Sequence, residues 1–91
     1  MVYVYAPKGV CSKQFAMEVE NNTLVDIEIQ GGCPGNLQGI AALTKGMDID
    51  DIIKRLEGIK CGARPTSCPD QLAIALKEVK KHIMQEAKVA D

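Results

Sequence analysis

The sequence predicts an α+β domain: a three-stranded antiparallel sheet (β-β-β) followed by three helices packed on one of its faces. Two observations carry that expectation. Apolar residues recur with period two as far as Ile29, and from Leu37 onward they recur at helical spacing. The change falls at Gly31-Gly32-Cys33-Pro34, a cluster that ends a strand and opens a helix.

Val2 to Tyr5 alternates weakly and reads as a short strand, stopped by Pro7 and Gly9. Cys11 follows in a polar turn. Phe15, Met17 and Val19 alternate with Ala16, Glu18 and Glu20, the pattern of a half-buried strand. Asn21-Asn22 supplies a two-residue hairpin turn, because Asn tolerates positive φ. Val25, Ile27 and Ile29, alternating with Asp26, Glu28 and Gln30, form the returning strand.

Cys33-Pro34 then opens the first helix, with Leu37, Ile40, Ala41 and Thr44 at helical spacing and Gly46 as its C′ stop. Gly35 and Gly39 weaken this helix and permit close approach of a neighbour or an ion. Asp48 caps the second helix, whose apolar stripe is Ile49, Ile52, Ile53, Leu56 and Ile59. Gly58 sits near its end. The third helix runs from about Pro69 to Lys88, with Cys68 as N-cap and Pro69 at the first helical position. Leu72, Ala75, Leu76, Val79, Ile83 and Ala87 face the core; Lys77, Glu78, Lys80, Lys81 and Glu86 face water.

At 91 residues the chain is read as a single domain, 1–91, with no low-complexity linker. A chain of this size buries roughly 60–65% of its unfolded surface, so a cross-link would help it. A formal charge of −1 with interleaved lysines and acids argues against a phosphate-driven nucleic-acid binder. One Phe, two Tyr and no Trp leave little to stack bases on. No segment approaches the ~20 apolar residues of a membrane span. The first residues lack the basic and apolar regions of a secretory signal, so a cytoplasmic protein with reduced thiols is expected.

Four cysteines in a reducing compartment point to metal or redox chemistry. Cys11, Cys33, Cys61 and Cys68 do not have zinc-finger spacing. Their placement is more informative. Each falls at a break between elements: before the hairpin, between sheet and first helix, after the second helix, and at the start of the third. In a compact layout those breaks gather at one end of the sheet. Helix N-termini favour thiolates, and Lys13, Lys60 or Arg64 would offset the charge of a tetrathiolate zinc site. Zinc on Cys11, Cys33, Cys61 and Cys68 is the expectation, with an iron–sulfur cluster on the same residues as the alternative. A Cys61/Cys68 redox pair, and metal-free structural thiols with some of them in the core, are the rival readings.

Other features carry less. His82, the single histidine, lies on the flank of the last helix. Gly31-Gly32-Cys33-Pro34-Gly35 lacks the Lys-[Ser/Thr] of a phosphate loop and reads as a tight turn. Arg64 reads as a solvated loop residue. Asp48, Asp50 and Asp51 read as helix capping. No catalytic constellation is found, so no activity of the chain's own is expected.

Thr66-Ser67-Cys68-Pro69-Asp70 spells TSCPD, and Gly32-Cys33-Pro34-Gly35-Asn36 lies upstream. On these motifs the chain resembles the four-cysteine TSCPD domain family, over roughly Val4 to Glu86. The same domain is appended to the C-terminal end of some adenosylcobalamin-dependent ribonucleotide reductases. The resemblance therefore implies a metal-binding or thiol-relay role for Cys11, Cys33, Cys61 and Cys68, and a protein partner such as ribonucleotide reductase. Nothing in the chain resembles the reductase barrel or a cobalamin site. In layout the sequence is also similar to U-type iron–sulfur scaffold proteins, with Cys11, Cys33 and Cys68 in corresponding places. That likeness implies a scaffold-like fold and iron–sulfur machinery as partner. Cys61 is an addition to the scaffold pattern, and the scaffold's extra acidic ligand is missing.

Overall fold

A computed structural model describes the chain except residues 11, 32, 33, 61, 64, 90 and 91; at 12, 34, 36 and 85–89 it describes the backbone alone. Three strands, β1 (Val2–Tyr5), β2 (Ser12–Glu20) and β3 (Thr23–Gly31), precede three helices, α1 (Pro34–Thr44), α2 (Ile49–Leu56) and α3 (Cys68–Val89). The strands form one antiparallel sheet in the order β1-β2-β3. This is the expected α+β architecture.

The hairpin turn forms as its two asparagines dictate. Asn21 and Asn22 have φ of 52° and 62°, the left-handed pair of a type I′ turn, and Glu20 pairs with Thr23 across it. Asn22 also has a tertiary role. Its Nδ2 donates to Asp48 Oδ2 and Asp50 Oδ2, each at 3.0 Å, and so ties the hairpin to the start of α2. Asp48 caps that helix by accepting from the Asp50 N–H at 2.8 Å, as expected. The Asp50 carboxyl is held below the ordinary carboxylate range, first by the Lys80 hydrogen bond and then by Asn22. These acids are structural.

The core lies between one sheet face and the helices. Phe15, Met17, Val19, Leu24 and Ile27 pack with Ile49 and Ile52 of α2 and Leu72, Ala75, Leu76 and Val79 of α3. One inward assignment in the returning strand is corrected. Val25 is 39% exposed, and Leu24 is fully buried in its place. The register moves from Glu18↔Asp26 to Val19↔Leu24, so Val25 is the extra residue of a bulge and the alternation changes phase there. A second shift, between Ser12 and Gln14, leaves Lys13 as the extra residue.

Ile59 is also corrected. It belongs to no helical stripe, because α2 stops at Leu56: Glu57 turns extended and Gly58 takes φ +85°. On α3, Ala73 is buried as well, while the side chains of Glu86 and Ala87 lie outside the described residues.

On α1, Leu37 and Thr44 are buried as expected, and Gly46 ends the helix region with φ +88° and donates to the Leu24 carbonyl at 2.7 Å. Among the described residues no neighbour packs against the two helix glycines where a side chain would stand. A Cβ at Gly35 or Gly39 would meet nothing within 4 Å. Gly39→Ala will therefore raise stability by about 0.5–1 kcal/mol, because only the entropic cost of glycine is removed. Chemical denaturation checks this, and a loss of stability would show that the face is occupied.

Candidate functional site

The site is built around the turn Thr66–Asp70, where two polypeptide breaks meet the start of α3. Ser67, not Cys68, is the N-cap. Its Oγ accepts from the Asp70 N–H at 3.1 Å, and its carbonyl accepts the first helical bond from the Gln71 N–H at 2.8 Å. Cys68 is thus the first helical residue and Pro69 the second. The Ser67-x-x-Asp70 spacing, close to that of a capping box, is the signal that places the cap one residue earlier.

Asp70 is 8% exposed and fully engaged. Its carboxylate accepts from the Gly58 N–H at 2.7 Å and from the Thr66 hydroxyl at 2.5 Å. Those two donors hold its carboxyl below the ordinary range, Thr66 most strongly. The Ser67 hydroxyl donates to the Ile59 carbonyl at 2.6 Å. The segment that leaves α2 is therefore fastened to the turn at both Gly58 and Ile59.

Gln71 fastens a second segment. Its Nε2 donates to the Thr66 hydroxyl at 3.0 Å, and its Oε1 accepts from the Lys8 N–H at 3.0 Å and the Tyr5 hydroxyl at 3.4 Å. Gly9, with φ +73°, lies so close that a Cβ there would sit 3.2 Å from the Thr66 methyl. At the sheet end, Ser12 is paired with Gly31.

Of the four expected ligands, Cys68 alone is described. It is half-buried in the first turn of α3. Cys11, Cys33 and Cys61 lie outside the described residues, as does Arg64. Their described neighbours fall into two groups, one at the turn (Gly9, Gly58, Ile59) and one at the sheet end (Ser12 with Gly31). Gly9 and Ser12 flank Cys11, Gly31 precedes Cys33, and Gly58 and Ile59 precede Cys61. Each is hydrogen-bonded, packed or paired either to the Thr66–Gln71 turn or to another cysteine's neighbour. Among the described residues, no three His, Cys, Asp or Glu side chains gather into a metal-holding group.

His82 stands apart from this turn. It lies fourteen residues beyond Cys68 on the same helix, roughly 21 Å along the axis, so the two make no dyad. Among the described residues no helix is long and apolar enough to cross a membrane.

No curated protein and no solved structure matches the chain. A family model does: that of the TSCPD domain, over residues 1–80, which contain the whole sheet, all three helix starts and the Thr66–Gln71 turn. The chain belongs to the TSCPD domain family.

Proposed function

We propose that this chain is a metal-binding accessory domain in which Cys11, Cys33, Cys61 and Cys68 together hold one zinc ion. The observation that carries the reading is the fastening of cysteine neighbours to one turn. Lys8 and Gly9 on one side and Gly58 and Ile59 on the other are bonded or packed against Thr66, Ser67, Asp70 and Gln71. This fastening brings the neighbours of Cys11 and Cys61 to the turn that opens α3 at Cys68, and a closed structural zinc site would use such a frame. The Asp70 carboxylate is committed to Gly58 and Thr66, so thiolate is the donor type left in the turn. A reducing compartment keeps such thiols available to a metal, so the reading includes a cytoplasmic location; the family suggests a protein partner of the ribonucleotide reductase class.

The β-β-β-α-α-α order favours one second reading, an iron–sulfur scaffold or carrier on the same four cysteines. Elemental analysis with an absorption spectrum separates the two, on protein purified without oxygen and without a metal-affinity column. About one zinc per chain and no colour is the expected result. Iron with sulfide and a brown absorbance would replace zinc by a cluster. Absence of both would overturn the metal reading and put a Cys61/Cys68 dithiol relay ahead.

A further inference from the structure

A groove of about 330 Å³ runs between β1 and α3, beginning roughly one turn along the helix from Gln71. Tyr3, Tyr5, Met17, Glu78, Val79 and His82 line it. Both tyrosines and the single histidine of the chain are therefore gathered on one groove. The Tyr3 ring lies 6.2 Å from the His82 ring, and Tyr5 stacks on Phe15 at 6.4 Å. Burial first, and then the nearby Glu78 carboxylate, push the Tyr5 hydroxyl up. Aromatic faces beside a carboxylate are the setting that favours a cation.

The strand bordering this groove is an open edge. The backbones of Met1 and Val19 exchange hydrogen bonds at 3.1 and 2.9 Å. Antiparallel alternation then directs the N–H and C=O groups of Val2 and Val4 away from β2. Their side chains stand on the helix-free face, 64% and 65% exposed. A strand added beside β1 would place alternate side chains next to these valines. The intervening ones would fall on the helix side, over Tyr3 and Glu78.

We propose that β1 accepts an extended segment of a partner protein by edge pairing, with an arginine or lysine of that segment seated over the Tyr3–Glu78–His82 groove and apolar residues beside Val2 and Val4. Main-chain pairing supplies affinity, and the cation supplies selection. Glu78 also meets Lys81 at 3.6 Å. That pair is exposed and screened, and an incoming cation joins or displaces it. Edge pairing uses none of the four cysteines; the Tyr5 hydroxyl is shared with the turn through its bond to Gln71.

The test is an amide NMR titration with a capped five-residue peptide alternating valine and arginine. Shifts confined to residues 2–5 and to 78–82 on the facing helix are expected, with slowed hydrogen exchange at the Val2 and Val4 amides. A peptide with glutamate in place of arginine should bind about tenfold more weakly. Val4→Pro removes an edge-facing N–H that β2 does not use, and should abolish binding. Glu78→Gln, on an exposed helix surface, should weaken the arginine peptide about threefold without unfolding the chain. Equal binding of both peptides, shifts elsewhere, or no binding would overturn the proposal. So would growth to a dimer with the same β1 shifts in the absence of peptide, since a second copy would then fill the edge.

Discussion

With zinc on the four cysteines as proposed, replacing Cys68 or Cys33 by serine will lower the melting temperature by more than about 12 °C and abolish its dependence on metal. A structural zinc contributes its binding free energy to folding directly, on the order of 10–16 kcal/mol for small zinc domains. Loss of one thiolate should forfeit more than about 3 kcal/mol of that. For a domain of this size, 1 kcal/mol moves the midpoint by about 4–8 °C. Serine keeps the size of the thiol, so packing does not explain such a loss. A chelator should lower the melting temperature of the parent chain and leave both variants unmoved. Unchanged melting in both variants would remove zinc from the account of stability.

Asp70→Ala will cost about 2–4 kcal/mol at neutral pH, although the residue lies in none of the apolar stripes. The substitution leaves the Gly58 N–H and the Thr66 hydroxyl without their acceptor, and hydrogen bonds to an ionised group are worth about 1.5–3 kcal/mol each. It also releases the exit of α2 from the entry of α3. The pH dependence follows from the direction of the shift. The folded carboxyl lies below its ordinary value of about 3.9, so the unfolded chain takes up the proton first. The contribution is then complete above that value and fades as pH falls towards the folded one. Denaturant titrations at pH 7 and near pH 3 should therefore show the gap between parent and variant narrowing in acid. A gap of equal size at both would mean that the lost atoms, not the charge, carry the effect.

Where side-chain pattern alone decides an element, the sequence announces it. The Asn21-Asn22 turn, the Asp48 cap and the inward set Phe15, Met17 and Val19 all appear as read. The misses share a cause. Val25 and Ile59 look like members of periodic stripes, but a bulge and a glycine stop interrupt the periods, and neither interruption has a local apolar signature. Cys68 looks like a cap because proline follows it, yet Ser67 has the better acceptor for the free N–H groups. The bonds that build the candidate site were not legible. Gln71 reaches Lys8, and Asp70 reaches Gly58, across intervals that no residue spacing encodes.

Those intervals govern when the site can exist. The Lys8–Gln71 bond closes 63 residues of chain, and the Tyr5–Gln71 bond closes 66. Closing loops of that length costs entropy before it returns any contact, so these are late events in folding. During synthesis the first strands leave the ribosome before Gln71 does. A metal ion meeting the early chain would find thiols without a frame, and would be held firmly only once the third helix has begun. The Thr66–Gln71 turn thus works as a clasp that joins the first residues of the chain to the start of α3.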